Sequence, residues 1–97
     1  MDKVHHVVSD PELDNLLKNQ KVIIDFSAEW SPTFSKLSNE YPNIIFIHVD
    51  IDRLSTHPLV KTIRSVPTFQ MYVNSALEKE VCGASEGGIK SMLEANK

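Results

Sequence analysis

The chain has a single cysteine in 97 residues. One cysteine makes no intrachain disulfide, no structural zinc cage and no two-cysteine redox centre, and it argues against a secreted disulfide scaffold. Glycine is almost as scarce, at three, and there is no internal repeat, so collagen-like and low-complexity classes fall away. Long apolar runs are missing too. Val22-Ile23-Ile24 and Ile44-Ile45-Phe46-Ile47 are far short of the ~20 residues of a spanning helix. Excess positive charge is also absent: ten Lys plus Arg face thirteen Asp plus Glu, a net charge of −3, which leaves no broad footprint for nucleic acid. The first residues, Met1 to His6, lack the apolar stretch of a signal peptide, and the expected location is cytoplasmic.

What remains is a globular balance of 41% hydrophobic and 24% charged residues. The length suits one domain over residues 1–97. A strand is expected at Val4–Val8, followed by Ser9-Asp10-Pro11-Glu12, a capping box ahead of the helical stripe Leu13, Leu16, Leu17. Val22–Phe26 is apolar on both alternating faces, the pattern of a central strand covered on both sides. Ser31-Pro32 opens a second helix, with Ser at the N-cap, Pro at the first helical position, and Phe34, Leu37 and Tyr41 on one face.

Ile44–Val49 is another apolar strand, and Thr56-His57-Pro58 can start a third helix bearing Leu59, Val60 and Ile63. The strand Thr68–Val73, the beginning of a turn at Asn74-Ser75, a solvated turn of mixed charge at Glu78-Lys79-Glu80 and a short strand Glu80–Cys82 follow. Ser85-Glu86 caps a last helix with Ile89, Met92 and Leu93 inward, and Gly87-Gly88 inside it. The order β α β α β α β β α implies an α/β fold: a mixed sheet with helices on both faces.

Three local motifs go with that order. They are Val22-Ile23-Ile24-Asp25-Phe26-Ser27-Ala28-Glu29-Trp30, then Ser65-Val66-Pro67-Thr68-Phe69, then Val81-Cys82-Gly83-Ala84. Together, over essentially the whole chain, they resemble the thioredoxin family: its central strand with a buried acid and a Trp, its cis-proline loop, and its last strand with a glycine. The resemblance implies a thioredoxin-like fold. It also implies a groove for extended peptides formed by Trp30, Val66, Pro67 and Gly83, with a cis bond at Val66–Pro67.

One departure decides the expected function. The family follows its Trp with Cys-Gly-Pro-Cys, whereas Trp30 is followed by Ser31-Pro32-Thr33-Phe34. Either Ser31 and Phe34 replace the two cysteines, or Pro32 is the family's helix-kinking proline and about seven residues are missing before it. The second alignment is preferred. Seven residues are close to two turns at ~3.6 per turn, so their loss keeps Phe34, Leu37 and Tyr41 facing the sheet while removing about 10 Å of helix. The second helix should therefore be shortened, with the helix displaced or the strand end unravelled near Ser27–Trp30.

A dithiol reductase needs a low-pKa thiolate and a resolving thiol. Ser31 supplies neither, and its better reading is a helix cap. Cys82 is expected to be a half-buried strand residue, with a Cys82-linked dimer as a lesser reading beside a monomer. Asp25 interrupts an apolar strand, so burial should raise its pKa. With the resolving cysteine gone it remains as a remnant acid, bonded to a water or hydroxyl, and no catalytic residue is assigned. His5, His6, His48 and His57 carry no chelating spacing; neither metal nor cofactor is expected. The expected protein is a thioredoxin relative inactive as a disulfide reductase and at most a binder of an extended peptide or protein partner, not of nucleic acid or membrane. The alternative is a genuine protein-disulfide reductase from whose sequence the active-site segment is missing.

Overall fold

The computed structural model describes residues 1–97. Its elements are β1 (His5–Val7), α1 (Asp10–Leu16), β2 (Lys21–Ser27), α2 (Pro32–Ser38), β3 (Ile45–Asp50), β4 (Thr68–Val73), β5 (Ala76–Cys82) and α3 (Glu86–Asn96). The five strands form one sheet in the order β1-β3-β2-β4-β5. β1, β3 and β2 run parallel, while β4 and β5 are antiparallel to their neighbours. This is the expected mixed α/β sheet.

Alternation along β2 divides the core. Val22, Ile24 and Phe26 pack with Leu13 of α1, Ile47, Val49 and Val60 on one face. Ile23 packs with Phe34, Leu37 and Tyr41, with Phe46, Phe69 and Met71, and with Ile89, Met92 and Leu93 of α3, on the other. Asp25 shares the parity of Ile23 and so faces the α2/α3 side. The helical phase expected after Pro32 holds: Phe34, Leu37 and Tyr41 are all buried in that layer.

Each helix starts where its serine can cap it. Ser9 Oγ accepts from Glu12 N, Ser31 Oγ from Phe34 N and Ser85 Oγ from Gly88 N. Glu12 reaches back one residue further than a standard capping box, accepting from Val8 N at 2.9 Å. The N-terminal segment is tied to α2: Lys3 N donates to Ser38 Oγ at 2.9 Å, and Ser35 Oγ donates to the Asp2 carboxylate.

Three expectations need correction. The third helix does not form. His57 N and Lys61 N make isolated turn bonds, and only a 3-10 turn, Val60–Thr62, remains. Pro58 disfavours the helical region for His57. The His57 ring also takes the Leu59 N–H at 3.1 Å, and the stretch is too short to recover nucleation without it. Second, β2 does not unravel: it pairs with β3 through Ser27–Asp50, and Ile51 N donates to Ser27 O at 3.2 Å. A strand bonded on both sides would lose two ladders by unwinding, and the chain leaves it only at residues 28–31, ahead of α2, a helix of seven residues. Third, Glu78-Lys79-Glu80 is not a turn but part of β5, which starts at Ala76. The turn residues Asn74 and Ser75 both have positive φ, the geometry of a two-residue hairpin.

Candidate functional site

At the C-terminal end of β2 the chain leaves the sheet through Ser27-Ala28-Glu29-Trp30 and enters α2 at Ser31. Beside that exit lies the loop before β4, whose Val66–Pro67 peptide is cis. Gly83, at φ +91°, turns the chain after β5, and its N–H donates to Pro67 O at 2.8 Å, which pins the two loops together. Between these three segments runs an open groove of about 430 Å³, lined by Asp25, Ser27, Ala28, Glu29, Trp30, Ser31, Val66, Pro67, Phe69 and Ala84. Trp30 is 53% exposed and Val66 48%, so two large apolar side chains stand in solvent at its rim.

The sequence motifs therefore converge, with one substitution. Trp30, Val66 and Pro67 line the groove; Gly83 does not, and its neighbour Ala84 takes the place. Gly83 acts through its backbone turn and the bond to Pro67 O. Sequence reasoning missed Ser27, Ala28, Glu29 and Phe69. The register pairing Asp25 with Phe69 brings the last of these to the groove, and no local motif announces it.

Asp25 is the buried polar residue of this site, 1% exposed, and its Oδ1 has no hydrogen-bond partner. The expected bond to a hydroxyl does not secure that oxygen. Ser27 Oγ instead donates to Glu29 O at 2.8 Å. Burial pushes the Asp25 carboxyl up to about 6. On β3 the register partner of Asp25 is His48. His48 Nε2 lies 3.1 Å from Ser27 Oγ, and its Nδ1 lies 3.2 Å from Nδ1 of His6 on β1. Burial, then the neighbouring His6, holds His48 below the ordinary histidine range. His6 and His48 are the only histidines that meet, and no group of three or more His, Cys, Asp or Glu side chains converges on a point where a metal ion could sit.

Cys82 lies elsewhere. Its register partner is Thr68, one position out of phase with Phe69 and Val81, which pack on the α2/α3 side; the thiol thus faces the other side of the sheet. It is exposed rather than half-buried, because β5 is the sheet edge and no helix covers that corner. Cys82 Sγ lies 3.8 Å from Thr68 Oγ1 and 3.9 Å from Glu80 Oε1, in a small depression separate from the groove. Ser31 Oγ is engaged as the α2 cap, at 3.2 Å from Phe34 N.

The thioredoxin family model matches residues 4–95. The chain belongs to the thioredoxin family. Among similar thioredoxins, Thioredoxin-3 of Dictyostelium discoideum is 54% identical over 99% of this chain and 99% of its own length. Thioredoxin-2 of the same organism is 52% identical over 82% of this chain and 99% of its own. Among solved thioredoxins, the oxidised protein of Plasmodium falciparum superimposes with a TM-score of 0.84 at 33% identity, covering 95% of this chain and 96% of that one. The thioredoxin-like architecture is thus shared across the whole chain. No helix is long and apolar enough to cross a membrane.

Proposed function

We propose that this chain is a thioredoxin relative that does not reduce disulfides and that binds an extended peptide or protein partner in the groove beside Trp30. The observation that carries the reading is the residue that follows Trp30: a serine whose hydroxyl caps α2. Reduction of a disulfide requires a thiolate to attack one sulfur and a second thiol to release the product. The one thiol in the chain, Cys82, faces the opposite side of the sheet from the groove. Loss of the segment that should hold the thiols fits the alignment with Thioredoxin-3, which spans 103 residues against 97 in the chain, so at least six positions have no counterpart here.

The groove supports binding without chemistry. It is open, sits at the end of the central strand, and offers exposed apolar side chains from Trp30 and Val66 beside the backbone of the Pro67 loop. A cytoplasmic location agrees with the lone free thiol. The second reading, a reductase whose active-site segment is missing from this sequence, is favoured by how well the surroundings of that segment are kept: Asp25, Trp30, Pro67 and Gly83 are all in place.

The intact mass of the natural protein, 11.0 kDa or larger by the missing segment, decides between them, and insulin-disulfide reduction by the 11.0 kDa chain tests the first. The expected outcome is a rate equal to that of dithiothreitol alone. Turnover by a chain of that verified mass would overturn the proposal.

A further inference from the structure

The charge of the groove lining is one-sided. Its two ionisable residues are both acids, Asp25 at the floor and Glu29 at the exit of β2, and no Lys, Arg or His contributes to it. Asp25 is 1% exposed and its Oδ1 is unpartnered. An unsatisfied acceptor in such a place costs free energy that a suitable donor would recover. Carboxylates accept best from charged donors, and a guanidinium can engage both oxygens at once. The rim suits the same kind of guest. Trp30 presents an exposed indole to which a cation is attracted. Val66 and Pro67 offer apolar surface along which the methylene stem of Lys or Arg can lie while its head goes deeper.

We propose that the groove selects peptides carrying a Lys or Arg side chain whose charged head group reaches Asp25. This rests on the peptide-binding reading above and adds to it the chemistry of the guest.

The proposal has a pH signature. With its carboxyl raised to about 6, Asp25 is ionised at neutral pH and takes up a proton below that value. A cationic guest binds the ionised form, so its advantage falls by up to about tenfold per pH unit below 6, whereas an uncharged guest gains nothing from ionisation. The other titratable groups near Asp25 are Glu29 on the link to α2, His48 as its partner on β3, and His6 behind His48 on β1. β4 presents Phe69, and α2 brings no charged side chain to the lining.

Four extended decapeptides that differ only at one central position, Arg, Lys, norleucine or Glu, provide the test, with fluorescence of Trp30, the only tryptophan, as the readout. At pH 7.5 the Arg and Lys peptides should bind about tenfold or more tighter than the norleucine peptide, and the Glu peptide weakest. At pH 5 the Arg and norleucine affinities should approach one another. Asp25→Asn should lose the preference for Arg over norleucine at pH 7.5. Equal binding of all four peptides by the parent chain would overturn the inference but leave peptide binding standing. So would a preference that survives Asp25→Asn but vanishes in Glu29→Gln. Failure of every peptide to bind would overturn the peptide-binding reading itself.

Discussion

The two faces of the sheet treat their buried polar groups differently. On the α1 side every such group is partnered. His57, 4% exposed, pairs with Asp14 Oδ1 through Nε2 at 2.8 Å and accepts the Leu59 N–H at Nδ1. Thr68 Oγ1 donates to Ser65 O at 2.7 Å. Gln70 donates to Glu80 at 2.7 Å and accepts from Tyr72 Oη at 2.6 Å. On the α2 side the far end is equally well sealed, since Tyr41 Oη donates to Glu94 at 2.6 Å, a bond that pushes the Tyr41 hydroxyl up to about 12. Only at the groove does a buried oxygen lack a partner, that of Asp25. Paired polar groups mark where the fold holds itself together; the orphaned one marks the groove, where a buried acceptor is left for a donor from outside the chain.

The sharpest way to break the contrast is to unpair the sealed face. His57→Ala removes a buried ring and leaves the Leu59 N–H without its acceptor. Chemical denaturation should register a loss of about 2–4 kcal/mol. A loss under half of that would mean the turn after β3 reorganises at little cost and is not anchored by His57.

The opposite sign is expected at the groove. Asp25 has a folded-state pKa of about 6 against an ordinary value of 3.8. A raised carboxylate holds its proton more tightly when folded, so stability falls as pH rises from about 4 to 6 and the penalty is complete above 6. The full penalty is about 3 kcal/mol. Asp25→Asn should therefore stabilise the chain by about 1–3 kcal/mol at pH 7, the lower end reflecting the unpaired amide it introduces. The difference from the parent should fade below pH 4. Destabilisation at pH 7 would mean that the carboxylate has a structural partner. His48 works against this trend: its pKa is lowered on folding, so its contribution is present above the ordinary histidine range and lost as pH falls through it. The parent curve between pH 7 and 5 should then be flatter than Asp25 alone dictates, and His48→Gln should steepen it.

The smallest effect belongs to Asp14. Its side chain is 64% exposed and water can replace it at His57 Nε2, so Asp14→Ala should cost no more than about 1 kcal/mol by the same denaturation measurement. A larger loss would make the pair, rather than the ring's burial, the anchor of that face.

Local rules in the sequence carried most of the fold. β4 runs over Thr68–Val73 as its β-branched and aromatic pattern requires, and the three serine caps start helices where they stand. The rules failed where a local preference met a competitor. Leu59, Val60 and Ile63 have helical spacing, but Pro58 and the His57 ring spoil the first turn. Ala76–Lys79 looks like a loop because an edge strand exposed on both faces needs no apolar alternation. At the site, Trp30, Val66 and Pro67 were legible as motifs. Phe69 and the partnership of His57 with Asp14, 43 positions apart, depend on sheet register and helix docking, which no short window contains.

The contacts that run from β1 to the groove have a direction. The Ser27 hydroxyl gives its one hydrogen to Glu29 O, so it can only accept from His48 Nε2–H. That leaves neutral His48 bare at Nδ1, and His6 must supply the hydrogen between the rings. While both rings are neutral each is thereby set in one tautomer, by a hydroxyl one strand from His48 and two from His6. A proton added to His48 would land on Nδ1, and exposed His6 would then carry its own hydrogen on Nε2 and accept at Nδ1. The charge of His48 is thus read one strand further out, as the tautomer that His6 adopts.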